Sequence, residues 1–128
     1  MLRQSYVIKK TMMKVLLVDD NWEARQMIKD FVLEETDEYF ECEDGSEALP
    51  AYAEFLPDWV LMDWDMKEVN GLIATQNIIA RFPDAKILMV TSFDETDLRQ
   101  AAKQAGAWGY VQKNNLLELK EILTCGTP

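Results

Sequence analysis

Residues 14–20 read KVLLVDD, four apolar side chains in succession that end on a pair of acids. Such a run is short for a helix and lacks polar alternation, so it suits a strand covered on both faces, as in a parallel sheet. The figure recurs at Trp59–Asp63 (WVLMD) and Lys86–Val90 (KILMV), and more weakly at Tyr39–Cys42 and Trp108–Gln112.

Between these runs lie helical patterns. Asn21 is placed to cap the first, in which Ala24, Met27, Ile28 and Phe31 follow i, i+3, i+4, i+7 spacing. The second, over 45–55, takes Asp44 as its cap and holds Pro50 beyond its first turn, where proline should kink or shorten it. The third covers 72–82 and stops before Pro83. The fourth, over 95–105, sets Leu98, Ala101, Ala102 and Ala105 on one face, with Gly106 placed to end it. The fifth, over 116–123, presents Leu116, Leu119 and Leu123. Strands alternating with helices make an α/β fold, a parallel sheet with helices on both faces. Right-handed crossovers leave few topologies, and for five such units the strand order 2-1-3-4-5 is the natural one.

The 128 residues, 48% hydrophobic and 28% charged, fit one soluble domain able to bury roughly two-thirds of its unfolded surface. The expected organisation is an extension over residues 1–12, the domain over 13–124 and a tail over 125–128, with Met12 or Met13 as alternative starts. A net charge of −10 argues against direct binding to nucleic acid, whose phosphates need a basic surface. The longest apolar run near the N-terminus, Val15–Val18, is too short for a signal-peptide core or a membrane span. Cys42 and Cys125 match no metal or redox spacing, so reduced thiols in a cytoplasmic protein are expected. The chain has no histidine, which removes Ser-His and Cys-His catalysis, histidine metal ligands and a phosphohistidine carrier. Its chemistry must run on carboxylates, hydroxyls and lysine.

In open parallel sheets, ligands bind beyond the carboxyl ends of the strands. Asp19 and Asp20 follow the first strand, Asp63 ends the third, Thr91 and Ser92 follow the fourth, and Lys113 follows the fifth. Carboxylates 4 Å apart repel by roughly 4 kcal/mol per pair at an effective dielectric of 20. Lys113 offsets part of that repulsion, and a divalent cation would offset the rest. An all-oxygen donor set with room for water suits Mg²⁺, or Mn²⁺ in its place. The parts then fit phosphoryl transfer to a carboxylate, with Asp63, at the end of the central strand, as the best nucleophile.

The segments VLLVDD, VLMDWDM with NG shortly after, ILMVTS and GAWGYVQK resemble the receiver domains of two-component response regulators. They occur in that family's order, 43 residues from Asp20 to Asp63, 28 to Thr91 and 22 to Lys113. The resemblance runs from about Lys14 to Leu123 and implies the flavodoxin-like receiver fold. It implies Asp63 as phosphoacceptor and Asp20 as metal ligand with Asp19 assisting. The backbone carbonyl of Asp65 would be the third protein ligand. Thr91 and the backbones of Trp64 and Ser92 would bind the phosphoryl group, Lys113 would pair with it, and Tyr110 would reorient as Thr91 moves inward. Implied partners are a sensor histidine kinase or phosphotransfer protein, a downstream protein or output domain, and a second copy on phosphorylation. No membrane is implied.

The sequence departs from the family in several places: acidic Asp65 adds charge beside Asp63, and bulky Trp64 and Trp22 flank it. Lys67 stands where proline usually follows the methionine, and Asn114 stands where proline often follows the lysine. The buried face of the fourth helix, one leucine and three alanines, anchors weakly at ~25 cal/mol per Å². It is therefore expected to move on phosphorylation, together with the fifth strand and fifth helix. Two other function classes compete. A non-phosphorylated receiver acting as an interaction module would lack the need for the full residue set. A haloacid-dehalogenase-like phosphohydrolase would match Asp63-Trp64-Asp65 as its DxD, but that family places DxD on its first strand.

Overall fold

The computed structural model describes residues 12–93 and 95–126. Apart from Met12, the expected extension lies outside the described residues, as do the last two residues of the expected tail. The strands are β1 (Lys14–Val18), β2 (Glu38–Cys42), β3 (Trp59–Met62), β4 (Ile87–Thr91) and β5 (Gly109–Gln112). The helices are α1 (Trp22–Phe31), α2 (Ala48–Phe55), α3 (Gly71–Arg81), α4 (Thr96–Ala105) and α5 (Leu116–Cys125). Among the described residues the five strands form one parallel sheet in the order β2-β1-β3-β4-β5, the expected 2-1-3-4-5.

Successive residues of a strand face opposite sides, so each continuous apolar run feeds two cores at once. Leu16, Val18, Val60, Met62, Ile87 and Met89 pack under α2, α3 and α4 with Tyr52, Ala74, Ile78 and Ala102. Val15, Leu17, Leu61, Leu88, Val90 and Val111 pack under α1 and α5 with Ile28, Leu119 and Ile122. The outer strand β2 is the exception. Tyr39 and Phe40 are about half exposed, so this run is not covered on both faces as expected.

Three further details differ from the sequence expectation. In α1 the buried residues are Arg25 and Ile28, while Met27 and Phe31 are exposed at 48% and 63%. The apolar spacing was real, but the sheet lies against a neighbouring stripe of the helix. The second helix starts later than expected, because a 3₁₀ turn at Gly45–Glu47 precedes it, and Pro50 is not what shortens it. Pro50 then falls in the first turn of α2, where its missing N–H costs nothing. On α4 only Ala102 and Ala105 are fully buried, and Gly106 ends the helix at φ 104°, a conformation that favours glycine.

Candidate functional site

Register builds the site. Val18 lies level with Cys42 on one side and Met62 on the other, so the next residues, Asp19 and Asp63, emerge side by side. The Asp19 N–H donates to the Cys42 carbonyl at 3.0 Å, and the Asp63 N–H donates to the Val18 carbonyl at 2.9 Å. On the other side Thr91 lies level with Gln112, and the Lys113 N–H donates to the Thr91 carbonyl at 2.9 Å. Four strand ends therefore meet at one edge. Behind Asp63, α3 begins at Gly71, where an added Cβ would come within 1.9 Å of the Asp63 carbonyl oxygen. Only glycine lets the helix start that close to the strand.

Carboxylate oxygens of Asp19, Asp20 and Asp63 all lie within 4.8 Å of one another. Asp19 and Asp63 are buried and Asp20 is exposed, so the cluster opens to solvent on one side. The Lys113 ammonium reaches Asp19 at 2.8 Å and Asp63 at 3.4 Å. The other Asp19 oxygen accepts from the Asn21 N–H at 2.8 Å, at the start of α1. Burial and the nearby Asp19 carboxylate push the Asp63 carboxyl up to about 6, against the pull of Lys113. Burial pulls the Lys113 ammonium down, but Asp19 and Asp63 outweigh it and hold it above its usual range. Three carboxylates against one lysine leave an excess of negative charge, which adds to burial in raising Asp63. An all-oxygen set of this kind fits a hard divalent cation.

The remaining sequence-predicted residues divide. Thr91 is buried beside the lysine strand, and its hydroxyl accepts from the Phe93 N–H at 3.5 Å. Ser92 is exposed just beyond it, while Trp64 and Asp65 begin the loop that leaves Asp63. Tyr110 projects from β5, its hydroxyl donating to the Phe93 carbonyl at 2.9 Å and its ring stacked under the Arg99 guanidinium at 4.6 Å.

Sequence reasoning missed two residues that shape the site. Arg25, buried on α1, donates from Nη1 to the Asp19 carbonyl and from Nε to Glu41 at 2.7 Å. Asp44, read only as a helix cap, also ties down the loop after Asp63. It accepts N–H bonds from Ser46 at 2.8 Å, Glu68 at 2.8 Å and Val69 at 3.1 Å. Desolvation pushes the Asp44 carboxyl up, but these amides outweigh it and hold it at about 2. The loop that lacks the family's proline at Lys67 is thus fastened from the neighbouring turn. The only sequence signal for that role was the Asp44-Gly45 pair, which reads as an ordinary turn.

Comparison with known proteins agrees with this geometry. The family described as "Response regulator receiver domain" matches residues 15–124. The chemotaxis protein CheY of Halobacterium salinarum is 38% identical over 100 residues, covering 78% of this chain and 83% of that protein. The transcriptional regulatory protein DegU of Brevibacillus brevis is 31% identical over 127 residues, 93% of this chain and 53% of that one, so the chain spans about half its length. A solved two-component response regulator of the LuxR family from Aurantimonas superposes with a TM-score of 0.79 at 29% identity, covering 91% of this chain and 88% of the other. Strand order, acid cluster and a match across nearly the whole domain converge, and the chain belongs to the receiver-domain family of two-component response regulators.

Proposed function

We propose that Asp63 is the phosphoacceptor of this receiver and that Asp19 and Asp20 hold Mg²⁺ beside it. The observation that carries the reading is the convergence of three carboxylates and Lys113 at the carboxyl ends of the strands. Asp63 and the Asp65 backbone carbonyl complete the proposed ligand set. When bound, the cation would neutralise charge on the phosphoryl oxygens, the part of the reaction that carboxylates alone cannot serve.

The chain's own groups do the rest. An ionised Asp63 oxygen forms a bond to phosphorus of a phosphohistidine or a small acyl phosphate, and the bond to the donor breaks with its electron pair leaving on the donor. Lys113 shifts from pairing with carboxylates to pairing with the new phosphate. The Thr91 hydroxyl and the backbone N–H groups of Trp64 and Ser92 donate to its oxygens. Water later bonds to the phosphorus, the Asp63 O–P bond breaks and inorganic phosphate departs, leaving a free carboxylate; the domain is a self-catalysed acceptor and not an independent enzyme. Movement of Thr91 and Tyr110 toward the phosphate would alter the face made by α4, β5 and α5.

The partners on this reading are a histidine kinase or phosphotransfer protein upstream and an output domain or downstream protein. The setting is cytoplasmic, and no helix of the described residues is long and apolar enough to cross a membrane. The test is intact-mass measurement after incubation with Mg²⁺ and acetyl phosphate. Wild type should gain one phosphoryl group and Asp63→Asn none. No gain in wild type would favour the unphosphorylated interaction module, and an undiminished gain in Asp63→Asn would remove Asp63 from the role. Steady hydrolysis of phosphomonoesters would point instead to a phosphohydrolase.

A further inference from the structure

Beneath the acid cluster lies a buried charge that phosphoryl transfer itself does not use. Arg25 is 5% exposed, although it sits on a helix whose apolar residues Met27 and Phe31 face solvent. A guanidinium is rarely buried unless several of its donors are satisfied. Here Nε donates to Glu41 Oε1 at 2.7 Å, and Nη1 donates to the backbone carbonyl oxygen of Asp19. The second Glu41 oxygen accepts from Lys29 at 2.9 Å. Burial pushes the Glu41 carboxyl up, but Lys29 and Arg25 outweigh it and keep it below its usual range. Two cations thus share the one Glu41 carboxylate, and of the two Arg25 also reaches Asp19.

The carbonyl that Arg25 grips belongs to the peptide plane joining Asp19 to Asp20. Asp19 has other restraints: its N–H on Cys42, and its carboxylate on the Asn21 N–H and Lys113. Asp20 is exposed, and the direction in which its carboxylate leaves the backbone depends on that peptide plane. We infer that Arg25, braced by Glu41, is a positioning residue for the divalent cation site: it fixes the Asp19–Asp20 peptide so that the Asp20 carboxylate meets those of Asp19 and Asp63. It touches neither the cation nor the phosphoryl group, and acts through the backbone and through its charge. This inference rests on the Mg²⁺ reading of the acid cluster.

Removal of a residue that orients a metal ligand weakens metal affinity by about 10- to 100-fold. Mg²⁺ titration, followed by calorimetry and by Trp64 fluorescence on the full chain, should show Arg25→Gln weakened by about 10-fold or more. Arg25→Lys keeps the charge but cannot span both acceptors, so it should fall between wild type and Arg25→Gln. Glu41→Gln, which loosens the brace and leaves the Asp19 contact, should weaken binding by a smaller factor in the same direction. Ile78→Val, in the other core two turns along α3 from Gly71, supplies the control, with urea unfolding in EDTA measuring stability for every variant. It should lose stability and keep wild-type Mg²⁺ affinity. If folded Arg25→Gln and Arg25→Lys bind Mg²⁺ as wild type does while losing stability, Arg25 is only a structural brace and the inference is overturned. If wild type itself binds no Mg²⁺, the reading of the acid cluster fails first, a distinguishable result.

Discussion

The two halves of the site are built differently. On the acid side, at the ends of β1 and β3, each buried group is restrained more than once. Asp19 is held by Asn21, Lys113, Cys42 and Arg25, and the loop after Asp63 is pinned by Asp44. On the hydroxyl side, at the ends of β4 and β5, Thr91 and Tyr110 both attach to the backbone of one residue, Phe93. The Thr91 contact, at 3.5 Å, is at the limit of a hydrogen bond. The helix that follows, α4, has Glu95 at its N-cap without a side-chain cap bond, as α2 has Glu47, whereas α1, α3 and α5 are capped by Asn21, Asn70 and Asn115. On the proposed function, fixed carboxylates suit a pocket that would receive a cation and a phosphoryl group without rearranging. On the same reading, hydroxyls that both bond to Phe93 suit the part that responds.

That contrast can be broken by measurement, and the largest effect is expected at Lys113. Lys113→Met leaves the buried Asp19 and Asp63 carboxylates facing each other. It should cost about 2 kcal/mol, less than the roughly 3–5 of a fully buried pair because the lysine side chain is 23% exposed. Adding Asp63→Asn should recover most of the loss, as read by urea unfolding of the metal-free protein. A null single variant would mean that the acid side is not under electrostatic load.

Next in size is a pH effect. Asp63 has a folded value of about 6 against an ordinary 3.8, so it binds its proton more tightly in the folded state. Its contribution to metal-free stability is full at low pH and is lost as pH rises through about 6. The unfolding midpoint of wild type should therefore fall between about pH 4 and 6 relative to Asp63→Asn. Asp44 has the opposite sign. Its carboxyl is held at about 2, so its contribution is present above about 3.8 and lost as pH falls through about 2. Asp44→Asn should flatten the acid limb of the stability curve by a smaller amount, since exposed charge is screened. An unchanged acid limb would show that Asp44 does not fasten the loop.

The smallest effects should come from the hydroxyl side. Thr91→Val loses one long contact and Tyr110→Phe one hydrogen bond, each expected to change stability by less than about 1 kcal/mol. Tyr110→Phe should nonetheless speed amide exchange in Phe93 and the first turn of α4. A stability loss from either variant equal to that of Lys113→Met would erase the distinction between the halves.

Much of this was legible in the chain itself. All five strand runs lay within one residue of their final ends. The acids, hydroxyls and lysine fell just past them because a parallel sheet puts every loop of functional use at one edge. Asn21 and Gly106 announced a helix start and a helix stop through local backbone chemistry, which needs no distant partner. Less was legible in α1, where apolar spacing pointed to Met27 and Phe31 and the sheet took Arg25 instead.

What the sequence by itself determined, then, is the order of elements, the two-sided core and the edge where the carboxylates gather, since each follows from short-range patterns. Tertiary structure alone decided the burial of Arg25, the reach of Asp44 across two loops and the exposure of Tyr39 and Phe40. Those outcomes turn on partners far along the chain, Glu41 lying 16 residues from Arg25 and Val69 25 from Asp44. A charged side chain is buried only where another element brings it an acceptor, and no period within its own helix or loop records that.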